Sequence, residues 1–344
     1  MTAERSTVLV TGASGFLGRA VVRELMAQGR TVRTLQRRPS GVDGASDVLG
    51  SVTDAAVVAR ALDGADAVVH LAAKVSLAGD PADFERVNVG GTRTLLDAAA
   101  AAGVRRVVHV SSPSVAHHGS SIAGDDAAPA DPTLARGDYA RTKAAAELLA
   151  LGRDSSSSGD LHVVAVRPHL VWGPGDTQLV ARIVARARAG RLPLLGHGAA
   201  LIDSTYVDNA ASAIAAALVA VDDVHGRAYV VTNGEPRPVA ELLGGICRAS
   251  GVEPPRWRVP AALARGAGAA VEALWRVRPG ADEPPMTRFL AEQLSTAHWF
   301  DQRRTREDLR WQPAVSIDEG LRRLEGPGTG AQSRQFSTRP GMSG

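Results

Sequence analysis

The sequence predicts an α/β chain: a doubly wound parallel sheet with helices on both faces, followed by a smaller, mainly helical part. Three observations predict it. Apolar strand-like runs alternate with helical patterns from Thr7 to Val166, the order that builds parallel sheets from strand–helix–strand units. The first strand and helix are joined by a glycine-rich turn, Gly12-Ala13-Ser14-Gly15-Phe16-Leu17-Gly18. After Asp176 the alternation gives way to amphipathic helices and proline-punctuated segments.

Val8-Leu9-Val10 is the first strand and Phe16 to Ala27 the first helix. At the turn, Gly12 can take a backbone conformation that side chains forbid. Gly15 lets the chain approach a pyrophosphate, and Gly18 lets the helix pack closely on the strand. Phosphates would then sit at the helix N-terminus, where free N–H groups and the dipole favour negative charge. The spacing is GxxGxxG rather than GxGxxG, and an ordinary packing loop is the alternative. Thr31–Leu35 is the second strand and ends in Gln36-Arg37-Arg38-Pro39. An acid at this point would hold the ribose 2′-hydroxyl of NAD. A glutamine followed by Arg37 and Arg38 suits a 2′-phosphate in geometry and charge. NADP(H) is therefore the expected cofactor, with solvated loop arginines the alternative.

Asp47–Val52 is the third strand, and Thr53 or Asp54 caps the next helix. Asp66–Ala73 is the fourth, ending in small residues that let a cofactor lie against it, with Lys74 next at the carboxyl edge. Asp83–Ala102 is a long helix carrying Asn88, and Val104–Val110 a buried strand ending in Ser111-Ser112. Gly137–Leu151 is a helix with Tyr139 and Lys143. Leu161–Val166 is the sixth strand, and Ala228–Val231 closes the sheet. Ser155–Ser158 is a loop with no evident role. In the second part, Thr177–Ala189 is amphipathic, and Ala261–Val277 is either a lid or a surface that touches lipid or a partner. Residues 1–170, completed by about 203–235, are expected to form the nucleotide domain. Residues 171–202 and 236–325 are expected to form the substrate part, and 326–344 a disordered tail.

Composition excludes several classes. A formal net charge of +3 over 344 residues and the lack of a Lys/Arg block argue against nucleic acid. Cys247 is the single cysteine, so no internal disulfide forms, which fits a reducing cytoplasm. The longest apolar run, Ala210–Val221, is too short to span a bilayer. No metal-ligand spacing occurs. The only lysines are Lys74 and Lys143; in an arginine-rich chain, a lysine marks a place where arginine does not serve.

Tyr139 and Lys143 stand at i and i+4 and share a helix face. A nearby ammonium favours the phenolate and brings a phenol towards neutral pH as a proton donor and acceptor. Ser112, at a strand end, can hold a substrate oxygen beside the phenol. Lys74 sits where it could reach a substrate carboxylate or a cofactor phosphate, with a solvated lysine the alternative. His117, His118 and His169 lie near the expected pocket; a lone histidine is usually a packing residue.

The glycine loop, His70-Leu71-Ala72-Ala73, Asn88-Val89-Gly90-Gly91-Thr92, Ser111-Ser112, Tyr139…Lys143, Arg167-Pro168 and Tyr206-Val207-Asp208-Asn209 occur in the order seen in extended short-chain dehydrogenase/reductases. The chain resembles that family from about Thr7 to Leu324. Thr232-Asn233-Gly234-Glu235-Pro236 and Thr287-Arg288-Phe289 resemble its 3β-hydroxysteroid dehydrogenase branch. Ser112-Pro113-Ser114-Val115, Trp172-Gly173-Pro174-Gly175-Asp176 and Ile202–Asn209 resemble bacterial 2-alkyl-3-oxoalkanoate reductases of olefin and β-lactone biosynthesis.

The resemblance implies a Rossmann fold with Tyr139 as acid/base and Lys143 tuning it and binding the nicotinamide ribose. Ser112 would orient the carbonyl, with Asn88 a fourth member. Gly12, Ser14, Gly15, Phe16, Leu17 and Gly18 would hold the pyrophosphate. Leu71, Ala72, Ala73, Lys74 and Pro168 would border the cofactor, beside Arg37 and Arg38. Ser51 replaces an aspartate that many relatives carry near the adenine. A long-chain acyl substrate, a cytoplasmic homodimer and assembly with other enzymes of the same pathway are implied too. The alternatives are oxidation of a 3β-hydroxysteroid or 4-carboxysterol, and a non-catalytic NADP-binding sensor.

Overall fold

The structure, a computed structural model, describes residues 6–76, 79–155, 161–276, 292 and 294–325. The expected tail at 326–344, the Thr287-Arg288-Phe289 motif and Ser156–Ser158 of the serine loop lie outside the described residues.

Seven parallel strands form the main sheet: β1 Thr7–Thr11, β2 Thr31–Gln36, β3 Ser46–Leu49, β4 Ala67–His70, β5 Arg106–Val110, β6 His162–Pro168 and β7 Ala228–Val231. Their spatial order is β7-β6-β5-β4-β1-β2-β3. The order reverses between β1 and β4, so a crevice opens at their carboxyl ends, where open α/β sheets bind ligands. Register makes that edge even, since Thr11 pairs with both Leu35 and His70 and His70 pairs with His109.

The strands read as continuous apolar runs because both faces are buried. Alternate residues serve opposite cores. Val8, Val10, Val69, Val108 and Val164 pack on one side under α1 (Phe16–Ala27). Leu9, Val68, Val107 and Val163 pack on the other, under α2 (Ala55–Leu62). Asp54, not Thr53, caps α2 by accepting from Ala56 N and Val57 N.

The expected long helix around Asn88 is broken into α3 (Pro81–Phe84), a π-helical turn Glu85–Gly90 and α4 (Gly91–Ala101). The wider π turn often marks a functional position, and here it buries Asn88. α5 (Gly137–Leu151) matches its expected bounds. Gly137, at φ +83°, turns the chain into it, and an alanine-rich sequence favours the helix.

The second part carries α6 (Leu179–Arg188), α7 (Val207–Val224), α8 (Val239–Ala249) and α9 (Ala261–Arg276). α7 packs its alanines against α1 and belongs to the sheet's own core. The mainly helical remainder also holds a four-stranded sheet: Arg237–Pro238, Leu201–Ile202, His298–Phe300 and Ile122–Asp125. Strands of two to four residues carry no readable alternation. The Ile122–Asp125 strand of this small sheet follows the Ser112 segment in the chain.

Candidate active site

The glycine turn is built as a phosphate cradle requires. Gly12 has φ +76°, and a Cβ there would meet Ala72 N at 2.8 Å. A Cβ on Gly18 would lie 2.4 Å from the Gly12 carbonyl, so a side chain would push α1 off the strand. Gly15 opens α1 in an extended conformation, and its added Cβ would meet only the Gly12 carbonyl, at 3.2 Å. Its outer side is open, so the residues present fit a pyrophosphate. Arg19 braces the turn by donating to the Ser14 carbonyl at 2.7 Å.

His70 ties the next segment to this turn. Thr92 Oγ1 donates to the Asn88 carbonyl at 2.6 Å, so it can only accept from His70 Nε2 at 3.0 Å. His70 Nδ1 must then accept from Thr11 Oγ1 at 2.7 Å, and Thr11 Oγ1 accepts from Ala72 N at 3.1 Å. Burial, helped by the Lys143 charge, lowers the His70 pKa to about 3 and keeps one neutral tautomer. The chain Ala72–Thr11–His70–Thr92 thus fixes the Leu71-Ala72-Ala73 backbone beside the glycines. Thr11 and Thr92 are positioning residues; Thr92 belongs to the Asn88–Thr92 motif, whose spacing alone did not show this role.

Asn88 acts as a clamp. Its amide accepts from Lys74 N at 2.7 Å and donates to Lys74 O at 3.3 Å and Thr142 Oγ1 at 3.0 Å. It joins the end of β4 to α5 between Tyr139 and Lys143, and it bonds to neither of them. Lys74 Nζ pairs with Asp83 at 3.2 Å and lies 4.7 Å from the Phe84 ring centre. The Asp83 carboxylate, held below its usual range by the Arg86 and Lys74 side chains, already occupies that ammonium.

α5 presents Tyr139, Lys143 and Glu147 on one face. The Tyr139 ring is half-buried, and its hydroxyl end is enclosed beside the Ser112 side chain. Ser112 caps the short 3-10 turn Pro113–Ala116, and its Oγ accepts from Ser114 Oγ at 3.0 Å. Its own proton then points to the phenol oxygen of Tyr139 or to a substrate oxygen placed there. The expected tuning of the phenol differs in the structure. Burial raises the Tyr139 pKa, opposed only by the Ser112 hydrogen bond. Lys143 Nζ instead donates to the Val110 carbonyl at 2.6 Å. That carbonyl ends β5.

Burial lowers Lys143 to about 8, with Glu147 opposing. The unfolded value is near 10.4. The folded chain therefore binds fewer protons between about pH 8 and 10.4, and stability rises with pH across that window. Below it the full penalty of the buried ammonium applies. Lys143→Met should raise stability at pH 7 by roughly 2 kcal/mol while destroying turnover. Denaturant midpoints at pH 7 and pH 10 test this: the gain should shrink at the higher pH.

Beneath Lys143, Glu147 and Arg167 form an ion pair with side chains 1% and 2% exposed. Arg167 Nε donates at 2.9 Å, Nη2 donates to the other carboxylate oxygen, and Nη1 donates to the Ala128 carbonyl at 2.6 Å. On the substrate side, His117, His169 and His298 cluster, with the His117 and His298 ring centres 4.5 Å apart. Burial lowers all three, His169 to about 4 and His298 to about 3. His118 is exposed, and its carbonyl accepts from Arg136. A cavity of about 210 Å³ lies beside this segment, lined by Pro113, Ala116, Arg167 and Phe300 among others.

At the other end of the crevice, Gln36 is buried and donates to Thr34 and Asp47. Arg37 and Arg38 are exposed just beyond it and form no ion pair among the described residues. Pro168 ends β6 next to Val231. Leu17 and Phe16, at the start of α1, turn partly into the core of the second part.

The model of the NAD dependent epimerase/dehydratase family matches residues 8–232. The chain belongs to that family. It is an NAD(P)-dependent oxidoreductase with a Rossmann fold. A relative named 2-alkyl-3-oxoalkanoate reductase from Stenotrophomonas maltophilia is 41% identical over 92% of this chain and 98% of its own length. A second of that name, from Shewanella oneidensis, is 38% identical over 94% of this chain and 87% of its own. A 3β-hydroxysteroid dehydrogenase/Δ5→4-isomerase from Mycobacterium tuberculosis is 32% identical over 93% and 90%. Among solved structures, a double mutant of the dTDP-glucose 4,6-dehydratase DesIV of Streptomyces venezuelae, with NAD bound, superposes at TM-score 0.71 with 27% identity over 92% of this chain and 95% of that one. Among the described residues no helix is long and apolar enough to cross a membrane.

Proposed function

We propose that this enzyme reduces a 2-alkyl-3-oxoalkanoate to the 2-alkyl-3-hydroxyalkanoate with NADPH. The observation that carries the reading is the Tyr139 hydroxyl enclosed beside the Ser112 side chain, where a phenol can give its proton to the oxygen that becomes the hydroxyl. The two relatives named for this reaction, each matched over nearly the whole chain, supply the substrate class.

The bound nicotinamide cofactor supplies the hydride. The Ser112 hydroxyl donates to the C3 carbonyl oxygen and orients it. Tyr139 transfers its proton to that oxygen as charge develops there, and Lys143, still largely an ammonium below about pH 8, stabilises the phenolate left behind. The glycine turn and the Leu71-Ala72-Ala73 backbone would hold the cofactor's phosphates and face, and Lys143 would bind its ribose. Asn88 keeps α5 and the end of β4 at fixed separation.

NADP follows from Arg37 and Arg38 on the exposed end of β2. Two guanidiniums without carboxylate partners among the described residues match a 2′-phosphate. The Arg37→Gln/Arg38→Gln variant should raise KM for NADPH by about 10- to 100-fold, the effect of losing hydrogen bonds to a charged group. KM for NADH should change less than about twofold. Equal effects on both cofactors would remove the assignment. The substrate reading is tested by comparing kcat/KM for a 2-alkyl-3-oxoalkanoate with that for a 3β-hydroxysteroid and NAD⁺. Faster steroid oxidation would overturn it.

A further inference from the structure

Two segments far apart in the chain hold no acidic residue. Residues 177–198 carry Arg182, Arg186, Arg188 and Arg191, and residues 254–271 carry Arg256, Arg258 and Arg265. The fold brings them together. Leu194–Leu195 pairs in parallel with Arg258–Val259, and Trp257 Nε1 donates to the Gly190 carbonyl at 3.3 Å. Arg188, Arg191 and Arg258 are exposed and form no ion pair among the described residues. Arg256 is offset by Glu253 at 2.8 Å.

Apolar groups stand among these charges. Trp257 is 48% and Leu263 66% exposed. The outward positions of α9 beside Leu263 are Ala262, Gly266, Ala267 and Ala270, small and uncharged. A surface helix facing water normally turns charged residues outward. Exposed apolar side chains on a segment that also presents unpaired arginines, with a helix not long and apolar enough to span, are the pattern of a surface lying flat in a membrane interface. Phosphates of a nucleic acid would engage the arginines but leave Leu263 and the alanine surface unmet.

The patch also adjoins the crevice. Ala264 packs with Leu195 and Leu294. Two residues before Leu294, Glu292 holds Arg136, the N-cap of the Tyr139 helix, at 3.1 Å.

We propose that Trp257, Leu263 and the arginines Arg188, Arg191 and Arg258 dock this enzyme on an anionic lipid surface, next to the mouth of its substrate crevice. The arginines draw the chain to the headgroups, and Trp257 and Leu263 enter the boundary with the acyl chains. The proposal goes beyond the reductase reading and does not depend on it, because binding is read without turnover.

The test is co-sedimentation of the full chain with vesicles of phosphatidylcholine, alone or with phosphatidylglycerol. Binding is expected to the anionic vesicles, with a weaker fraction bound at high salt. Trp257→Ser/Leu263→Ser should reduce it by about tenfold, and each of Arg188→Gln, Arg191→Gln and Arg258→Gln by about fivefold. Denaturant unfolding midpoints should match the parent's in all of these variants, which shows that they fold. Three results would overturn the proposal: equal binding to neutral vesicles, no binding, or binding insensitive to Trp257→Ser/Leu263→Ser. Comparable binding to duplex DNA, also insensitive to those two changes, would mark a general polyanion surface instead.

Discussion

Tyr139→Phe should lower kcat by about 10²- to 10⁴-fold, the range that a positioned proton donor contributes. The ring would keep its packing, and only the hydroxyl beside Ser112 would be lost. KM for NADPH should change little, since the phosphate cradle lies at Gly12–Gly18 on another element. Stability should fall by only about 1 kcal/mol, the net worth of the one hydrogen bond to Ser112. Steady-state rates on purified protein check this. Retained activity would mean that another group protonates the oxygen and would remove Tyr139 from its role. A binding-only sensor has no turnover to lose, so any parent activity abolished by this change also rejects that alternative.

Glu147→Gln should destabilise the fold by about 3–5 kcal/mol, the cost of leaving one member of a buried ion pair unmatched. Arg167 would keep its charge at 2% exposure, with only the Ala128 carbonyl as a full partner. The loss would reach the active site, since Glu147 lies one turn beyond Lys143 and favours its ammonium. Lys143 would then lose its charge at lower pH, and the alkaline limb of activity would move down. Guanidinium unfolding measures the first effect and a pH–rate profile the second. Glu147→Leu/Arg167→Met removes both charges and should recover most of the stability. A single-variant cost under about 1 kcal/mol would show the pair to be hydrated and unimportant.

Much of this was legible because the signals are local. Gly12 at φ +76° and Gly18 under the Gly12 carbonyl do what a glycine in a strand–turn–helix unit must do. The i, i+4 spacing of Tyr139 and Lys143 places them on one face whatever packs against it. What was hidden depends on partners distant in sequence. Lys143 takes the Val110 carbonyl, 33 residues away, a partner that spacing alone does not show. Arg167 meets Glu147 from a different element, although the continued step from Lys143 to Glu147 could have flagged it. His298 joins His117 through a strand of three residues, too short for any periodic pattern. Asn88 was expected in a regular helix; its π turn follows from tertiary fit, with the side chain clamping the Lys74 backbone. Lys74 itself finds Asp83, nine residues on, within a segment whose helix was expected to begin there.

The most direct test of the central claim is isotopic. NADPH carrying deuterium at C4 of the nicotinamide is incubated with a 2-alkyl-3-oxoalkanoate, and the product is examined by mass spectrometry and NMR. The account predicts one deuterium at C3 of the 3-hydroxy acid, formed by the parent enzyme and lost with Tyr139→Phe. A reduced product without deuterium at C3, or the same label in both enzymes at equal rates, would contradict it.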